Sequence, residues 1–190
     1  AVVGALLALA CLVLWLANLN YVIAALLLSS LGASAFSALA KLAFQRPRPV
    51  DALLLESSWS FPSGHATTAV AFYGFLGYLL IRSNSTWKTQ VKLFFATGVL
   101  IVLLGLSRIV LGVHYLSDVW AGYLIGSLWL IVGISLSEFL AASGRISWHA
   151  PSEPRRRTAA RGLAVVAAVG CIAYASARRL PAPAHPTELS

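Results

Sequence analysis

Three short stretches of this 190-residue chain carry chemistry-bearing side chains in otherwise apolar surroundings. The richest is Ser107-Arg108-Ile109-Val110-Leu111-Gly112-Val113-His114-Tyr115-Leu116-Ser117-Asp118. His114 and Asp118 stand four apart, so on a helix or its first turn they share a face. A carboxylate beside an imidazole fixes its tautomer and supports its positive charge. Arg108 adds a permanent cation whose planar fork suits phosphate. The second stretch is Phe61-Pro62-Ser63-Gly64-His65. Ser63 is a good helix cap, Gly64 removes side-chain bulk, and free N–H groups at a helix N-terminus bind anions. The third is Lys41-Leu42-Ala43-Phe44-Gln45-Arg46-Pro47-Arg48-Pro49, whose prolines end a helix. Taken singly, each also fits an ordinary helix end. Lys41 could snorkel to an interface, His65 could be a plain interfacial histidine, and Ser117 or Asp118 could simply cap the next helix.

Taken together they imply more. Lys41, Arg48 and Arg108 repel one another in low-dielectric surroundings unless an anion with several oxygens sits among them. A phosphate meets that need. Two histidines then divide the work of phosphoryl transfer, one as nucleophile and one as general acid. A metal site competes with this reading, but cations crowd the place and a single carboxylate accompanies the histidines. We therefore expect neither metal nor cofactor.

The elements that must position these residues are membrane spans. The chain is 59% hydrophobic and 11% charged, too apolar for a soluble domain of this size, and a span takes ~20 apolar residues. Apolar runs cover 1–17, 21–44, 65–81, 91–111, 117–137 and 162–177. The expected fold is an all-α integral membrane bundle of about six spans. Small residues Ser29, Ser30, Gly32, Ala33, Ser34 and Ser37 in the second run allow close helix approach. The chain has no methionine and begins inside an apolar run, so residues 1–20 are expected to be a span of a longer, N-terminally truncated protein. The core is placed at 21–138, followed by a basic link at 139–161, an extra span at 162–179 and a Pro-rich disordered tail at 180–190.

The net charge of +8 comes from basic residues mostly in the links, which points to lipid headgroups and a membrane orientation, and excludes nucleic acid as a partner. Arg82, Lys88 and Lys92 share a side with Arg145, Arg155, Arg156, Arg157 and Arg161, so that side is cytoplasmic. The 45–64 loop and the 112–116 link then face outward, with all three stretches beside them. Arg178 and Arg179 are a mild violation of the rule. The Asn84-Ser85-Thr86 sequon falls on the cytoplasmic side and is read as chance. Cys11 and Cys171 are read as packing residues. Arg46, Asp51, Glu56 and Trp59 fall outside the motifs and are read as an ordinary loop with an interfacial tryptophan, the alternative being contact with a lipid headgroup. Trp15, Trp87, Trp120, Trp129 and Trp148 are read as interface or packing residues.

The three stretches in order are K-x-x-x-x-x-x-R-P from Lys41 to Arg48-Pro49, P-S-G-H at Pro62 to His65, and S-R-x-x-x-x-x-H-x-x-x-D from Ser107 to Asp118. This resembles the tripartite signature of the type-2 phosphatidic acid phosphatase (lipid phosphate phosphatase) superfamily, over about residues 21–138. The resemblance implies a metal-independent phosphatase in which His114 is the nucleophile and forms a phosphohistidine. Asp118 would orient it, and His65 would protonate the leaving oxygen and then activate water. Lys41, Arg48, Arg108, Ser63 and the Gly64 N–H would bind the phosphoryl oxygens. Leu116 departs from the proline that many relatives carry between the histidine and the aspartate. The implied substrate is a lipid phosphate or diphosphate in the bilayer, such as undecaprenyl diphosphate, phosphatidylglycerophosphate or phosphatidic acid. The implied place is a bacterial inner membrane, with the site facing outward. A non-catalytic lipid-phosphate binding or transport module needs the cations but neither histidine nor Asp118. A vanadate-dependent haloperoxidase would be soluble. The topology makes a direct prediction. In a background with Cys11 and Cys171 changed to alanine, Ser58→Cys and Ser85→Cys should label from opposite sides of the membrane. Labelling of both by an impermeant reagent from outside would overturn the orientation.

Overall fold

A computed structural model describes residues 2–49, 58–143, 161–166, 168 and 170. Among these residues all regular structure is helical. The elements are α1 (Val2–Leu16), α2 (Asn20–Phe44), α3 (Gly64–Ser83), α4 (Trp87–Val110) and α5 (Leu116–Ala142). Helices α2 to α5 are each long and apolar enough to cross a membrane. At 15 residues, α1 is shorter than the ~20 that a span needs. Residues 161–166 are helical, and Leu163 and Val166 join Leu6 and Leu14 of α1 in the buried core. Apart from residues 168 and 170, the rest of the expected last span lies outside the described residues, as do the 144–160 link, Asp51, Glu56 and the 180–190 tail.

The helices run past the apolar runs that predict them. Helix α4 begins at Trp87, and α5 continues to Ala142. Polar residues at those ends sit where a span leaves hydrocarbon, so they extend the helix without being buried in lipid. Helix α3 is the central one, with Phe72, Phe75 and Leu76 wholly buried. Phe94, Phe95, Val99, Val102 and Leu103 of α4 are exposed, as are Leu124, Leu128 and Ile131 of α5. Such an apolar exterior suits lipid, and the chain is an integral membrane protein.

Close approach, rather than the hydrophobic effect, holds spans together in lipid. Gly122, Gly126 and Gly133 place one face of α5 against α3 and α2. A Cβ on Gly122 would lie 2.7 Å from the Ser63 carbonyl oxygen, and one on Gly126 would lie 2.6 Å from that of Thr67. A Cβ on Gly133 would lie 2.8 Å from the Ser29 Cβ. The small residues of α2 answer this face: Ser29, Ser30, Ala33 and Ser37 are buried, and the Trp129 ring covers Gly32. Trp129 is therefore a packing residue, whereas Trp15, Trp87 and Trp120 are exposed.

Helix α3 contains one π-helical turn, Ala69–Tyr73. A widened turn displaces carbonyls from the regular ladder. Ser29 of α2 donates to the Ala71 carbonyl at 3.0 Å within the buried interior, which meets the demand that backbone polar groups in a membrane be satisfied. Just before this turn, Thr67 and Thr68 donate to the carbonyls of Ser63 and Gly64 at 3.0 and 2.8 Å. At the opposite end of the bundle, Tyr78 and Arg82 both donate to Glu138 Oε1, at 2.7 and 3.2 Å. There the sequon's Asn84 side chain donates to the Leu80 carbonyl at 2.8 Å, closing the end of α3.

The glycine face predicts a contrast. Gly126→Ala meets backbone and should destabilise the protein by ~1–3 kcal/mol. Nothing lies within 4 Å of a Cβ at Gly98, so Gly98→Ala should be neutral or slightly stabilising. Thermal unfolding in detergent measures both, and equal effects would contradict the packing described.

Candidate active site

The chain leaves α2 through Gln45, which takes the left-handed conformation (φ 43°) at the helix C-cap. Pro47 and Pro49 then keep it extended. This exit directs Arg46 and Arg48 to separate targets. Arg46 Nη1 donates to Asp118 Oδ1 at 2.8 Å and to Ser117 Oγ at 2.7 Å. Its guanidinium lies 4.2 Å from the centre of the Tyr115 ring, a distance suited to cation–π attraction. Arg48 donates through Nη1 to the Val113 carbonyl at 2.7 Å, and this same nitrogen lies 3.4 Å from His114 Nε2. The other nitrogens of Arg48 reach the Ser58 carbonyl (2.8 Å) and hydroxyl (3.0 Å). Lys41, in the last turn of α2, donates from Nζ to the Trp59 carbonyl.

Helix α4 ends in a turn that only glycine makes without strain. Gly112 has φ 66°, and the N–H groups of Leu111, Gly112 and Val113 return to the carbonyls of Ser107, Ile109 and Arg108. This turn buries Val113 and His114 beneath the start of α5. Arg108, in the last turn of α4, is only 3% exposed.

Asp118 is wholly buried in the first turn of α5. Its Oδ2 accepts from the Tyr115 N–H at 2.9 Å and from the Ser60 hydroxyl. A carboxylate bonded to a free N–H at a helix N-terminus is stabilised by that end's partial positive charge. His114 Nδ1 lies 3.5 Å from the same oxygen. A tautomer protonated at Nδ1 would leave the Nε2 lone pair on the side of Arg48. Leu116 opens α5 at a position where the N–H needs no intrahelical partner. A proline there would be tolerated, so the departure from the relatives' motif leaves the helix start intact.

Ser63 caps α3, accepting from the Ala66 N–H at 3.5 Å, and is fully buried. Its own N–H donates to the Asp118 carbonyl at 2.9 Å, tying the start of α3 to the start of α5. His65 follows in the first turn of α3 and is exposed. Gly64 faces Ser37 and the Lys41 stem, with room for a Cβ at 3.8 and 4.0 Å.

Thus the ends of α2 and α4 and the starts of α3 and α5 carry all eight residues singled out from sequence. Two further residues at the site, Arg46 and Ser60, are not among the eight. The sequence places Arg46 in an ordinary loop, but its contact with the buried Asp118 makes it part of the site. A signal did exist, since Arg46 and Arg48 lie on one proline-stiffened segment. Ser60 offered none, because a lone serine in a loop resembles any other. Among the described residues this end holds Lys41, Arg46, Arg48 and Arg108 against one carboxylate, Asp118. Cations gathered in this way suit an anion with several oxygens.

The family model described as the PAP2 superfamily matches residues 18–142. The chain belongs to the PAP2 superfamily. This is the family that the three motifs resemble. Among its members, phosphatidylglycerophosphatase B of Bacillus subtilis (strain 168) is 41% identical over 86 residues, covering 44% of this chain and 42% of that protein. Lipid phosphate phosphatase delta of Arabidopsis thaliana is 29% identical over 102 residues, covering 50% of this chain and 24% of that protein. The chain thus spans less than half the length of these curated PAP2 relatives. A crystal structure titled as the first transmembrane PAP2 type phosphatidylglycerolphosphate phosphatase from Bacillus subtilis superposes with a TM-score of 0.64 at 28% identity. The match covers 73% of this chain and 69% of that one.

The gathering of cations predicts anion binding in the absence of any lipid. Orthovanadate or inorganic phosphate should raise the unfolding temperature of the detergent-solubilised protein. Arg108→Ala should weaken that binding by at least tenfold, about the ~1.5–3 kcal/mol of a hydrogen bond to a charged group. An unchanged affinity would remove Arg108 from the anion site.

Proposed function

We propose that this chain is a membrane lipid phosphate phosphatase that works through a phosphohistidine on His114, at the outward face of a bacterial inner membrane. The observation that carries the proposal is the placement of His114. Its Nδ1 side faces a buried carboxylate, and its Nε2 side faces Arg48 within a group of cations. PAP2 membership and the likeness to a phosphatidylglycerophosphatase B support the same reading. Phosphatidylglycerophosphate is therefore the first substrate to test, ahead of phosphatidic acid and undecaprenyl diphosphate. The positive side of the links supports the orientation.

In the first step the Nε2 lone pair attacks phosphorus, the bond from phosphorus to the lipid oxygen breaks, and His65 gives its proton to that oxygen. The imidazole becomes positive as it is phosphorylated, and Asp118 stabilises that charge through Nδ1–H. In the second step neutral His65 removes a proton from water, the water oxygen attacks phosphorus, and the P–N bond breaks to release inorganic phosphate. Arg48, Arg108, Lys41, Ser63 and the Gly64 N–H neutralise the phosphoryl oxygens throughout, and such electrostatic positioning supplies most of the rate in phosphoryl transfer.

Single-turnover measurements test the division of roles. His114→Ala should abolish turnover on every substrate. His65→Ala should lose about 10²–10⁴-fold on phosphatidic acid, whose alkoxide must be protonated as it leaves. It should lose less on a diphosphate lipid and least on nitrophenyl phosphate. Equal losses across the three would show that His65 is not the acid, and full activity in His114→Ala would end the proposal. EDTA should leave the rate unchanged; an activity lost in EDTA and restored by a divalent ion would favour a metal mechanism.

A further inference from the structure

Arg46 and Ser60 belong to none of the three motifs, yet each holds one oxygen of the buried Asp118 carboxylate. We propose that they form a clasp that positions Asp118 for His114, and that Arg46 serves this purpose rather than binding phosphate. The inference rests on the phosphohistidine reading of His114.

The geometry is that of a two-point grip. Arg46 Nη1 reaches Oδ1 at 2.8 Å, and the Ser60 hydroxyl reaches Oδ2. The two residues are linked through the backbone, with the Ser60 N–H donating to the Arg46 carbonyl at 2.9 Å. The guanidinium is itself fixed, by Ser117 Oγ at 2.7 Å and the Tyr115 ring at 4.2 Å. Both of these partners flank Leu116 at the start of α5, so the clasp moves with the helix that carries Asp118. Ser60 is fully buried, and the Arg46 side chain is 38% exposed.

A carboxylate gripped at both oxygens cannot rotate away, so Oδ2 stays 3.5 Å from His114 Nδ1, within reach of a hydrogen bond that shortens as positive charge develops on the ring. Held in place, the carboxylate lies beside Nδ1, where it stabilises the positive charge of a phosphohistidine. Arg46 Nη1 is committed to Asp118 and Ser117, which leaves phosphate binding to Arg48, Arg108 and Lys41.

The test separates positioning from phosphate binding. Phosphate release by the detergent-solubilised protein is measured for Arg46→Ala, Arg46→Lys, Ser60→Ala, Asp118→Asn and the Asp118→Asn double variants, together with inhibition by inorganic phosphate. A clasp predicts that Arg46→Ala and Ser60→Ala lower kcat ~10–100-fold, the usual loss when partners orienting a functional group are removed, with KM and phosphate inhibition near the wild-type values. Arg46→Lys should recover part of kcat, and added guanidinium should rescue Arg46→Ala because the side chain is partly open to solvent. In the Asp118→Asn background neither change should reduce the residual turnover further, since residues acting as one unit are not additive. Unchanged kcat, a loss confined to KM or phosphate affinity, or full additivity with Asp118→Asn would each overturn the clasp. If Arg46→Ala does not fold, Arg46→Lys and Ser60→Ala carry the same comparison. Wild-type protein without phosphatase activity, or an active His114→Ala variant, would instead overturn the phosphohistidine reading on which the clasp depends.

Discussion

The structure turns on one buried carboxylate. Asp118 is wholly inside the protein, and an ionised acid there costs several kcal/mol unless its oxygens are paired. Every neighbouring element contributes to that pairing. The segment after α2 supplies Arg46, and the segment before α3 supplies Ser60. The turn before α5 supplies the Tyr115 N–H and brings in His114, while α3 ties on through Ser63 N–H and the Asp118 carbonyl. Removing Arg46 or Ser60 would take a hydrogen bond from one oxygen of this carboxylate.

The bundle makes that meeting possible by bringing backbones unusually close. Gly122 and Gly126 let α5 lie against the first turns of α3, so the Ser63 and Asp118 main chains come within hydrogen-bond distance. Lipid provides little reward for burying leucine over glycine, so contacts of this kind dominate between spans. The π-helical turn in α3 lies one step further along the same helix, and Ser29 satisfies a carbonyl within it. Polar groups in the interior are thus answered by side chains from neighbouring helices, as a low-dielectric setting demands.

Charge is sorted between the two ends of the bundle. At one end Arg82 and Tyr78 share the partly exposed Glu138, a pairing in which the local charges cancel. At the other end Asp118 meets Arg46, while Arg48 and Lys41 are held by the carbonyls of Val113, Ser58 and Trp59. These carbonyls fix the direction in which each cation points. The same Arg-Pro-Arg-Pro segment contributes one partly exposed arginine that pairs with the buried Asp118 and one that stays beside the imidazole.

Much of this was legible in the chain itself. Long apolar runs dictate helices in a membrane because no other open structure satisfies its own backbone there, and this sufficed to locate α2 to α5. The spacing of Lys41, Arg48, Ser63, His65, Arg108, His114 and Asp118 placed them at the ends of those helices, and hence at one end of the bundle. The exact helix limits were less visible, since headgroup-level polar residues such as Lys88 and Thr89 extend a span without a hydrophobic signal. Ser60 and Arg46 were not legible as partners of Asp118, which lies 58 and 72 positions away in sequence. Local propensity and periodicity report on neighbours within a few turns, whereas a buried charge takes its partners from whatever the packed helices bring to it. The residue types able to do chemistry were therefore determined by the sequence. Which arginine grips the carboxylate and which faces the imidazole was decided only by the left-handed exit at Gln45 and by the glycine-allowed contact between α3 and α5.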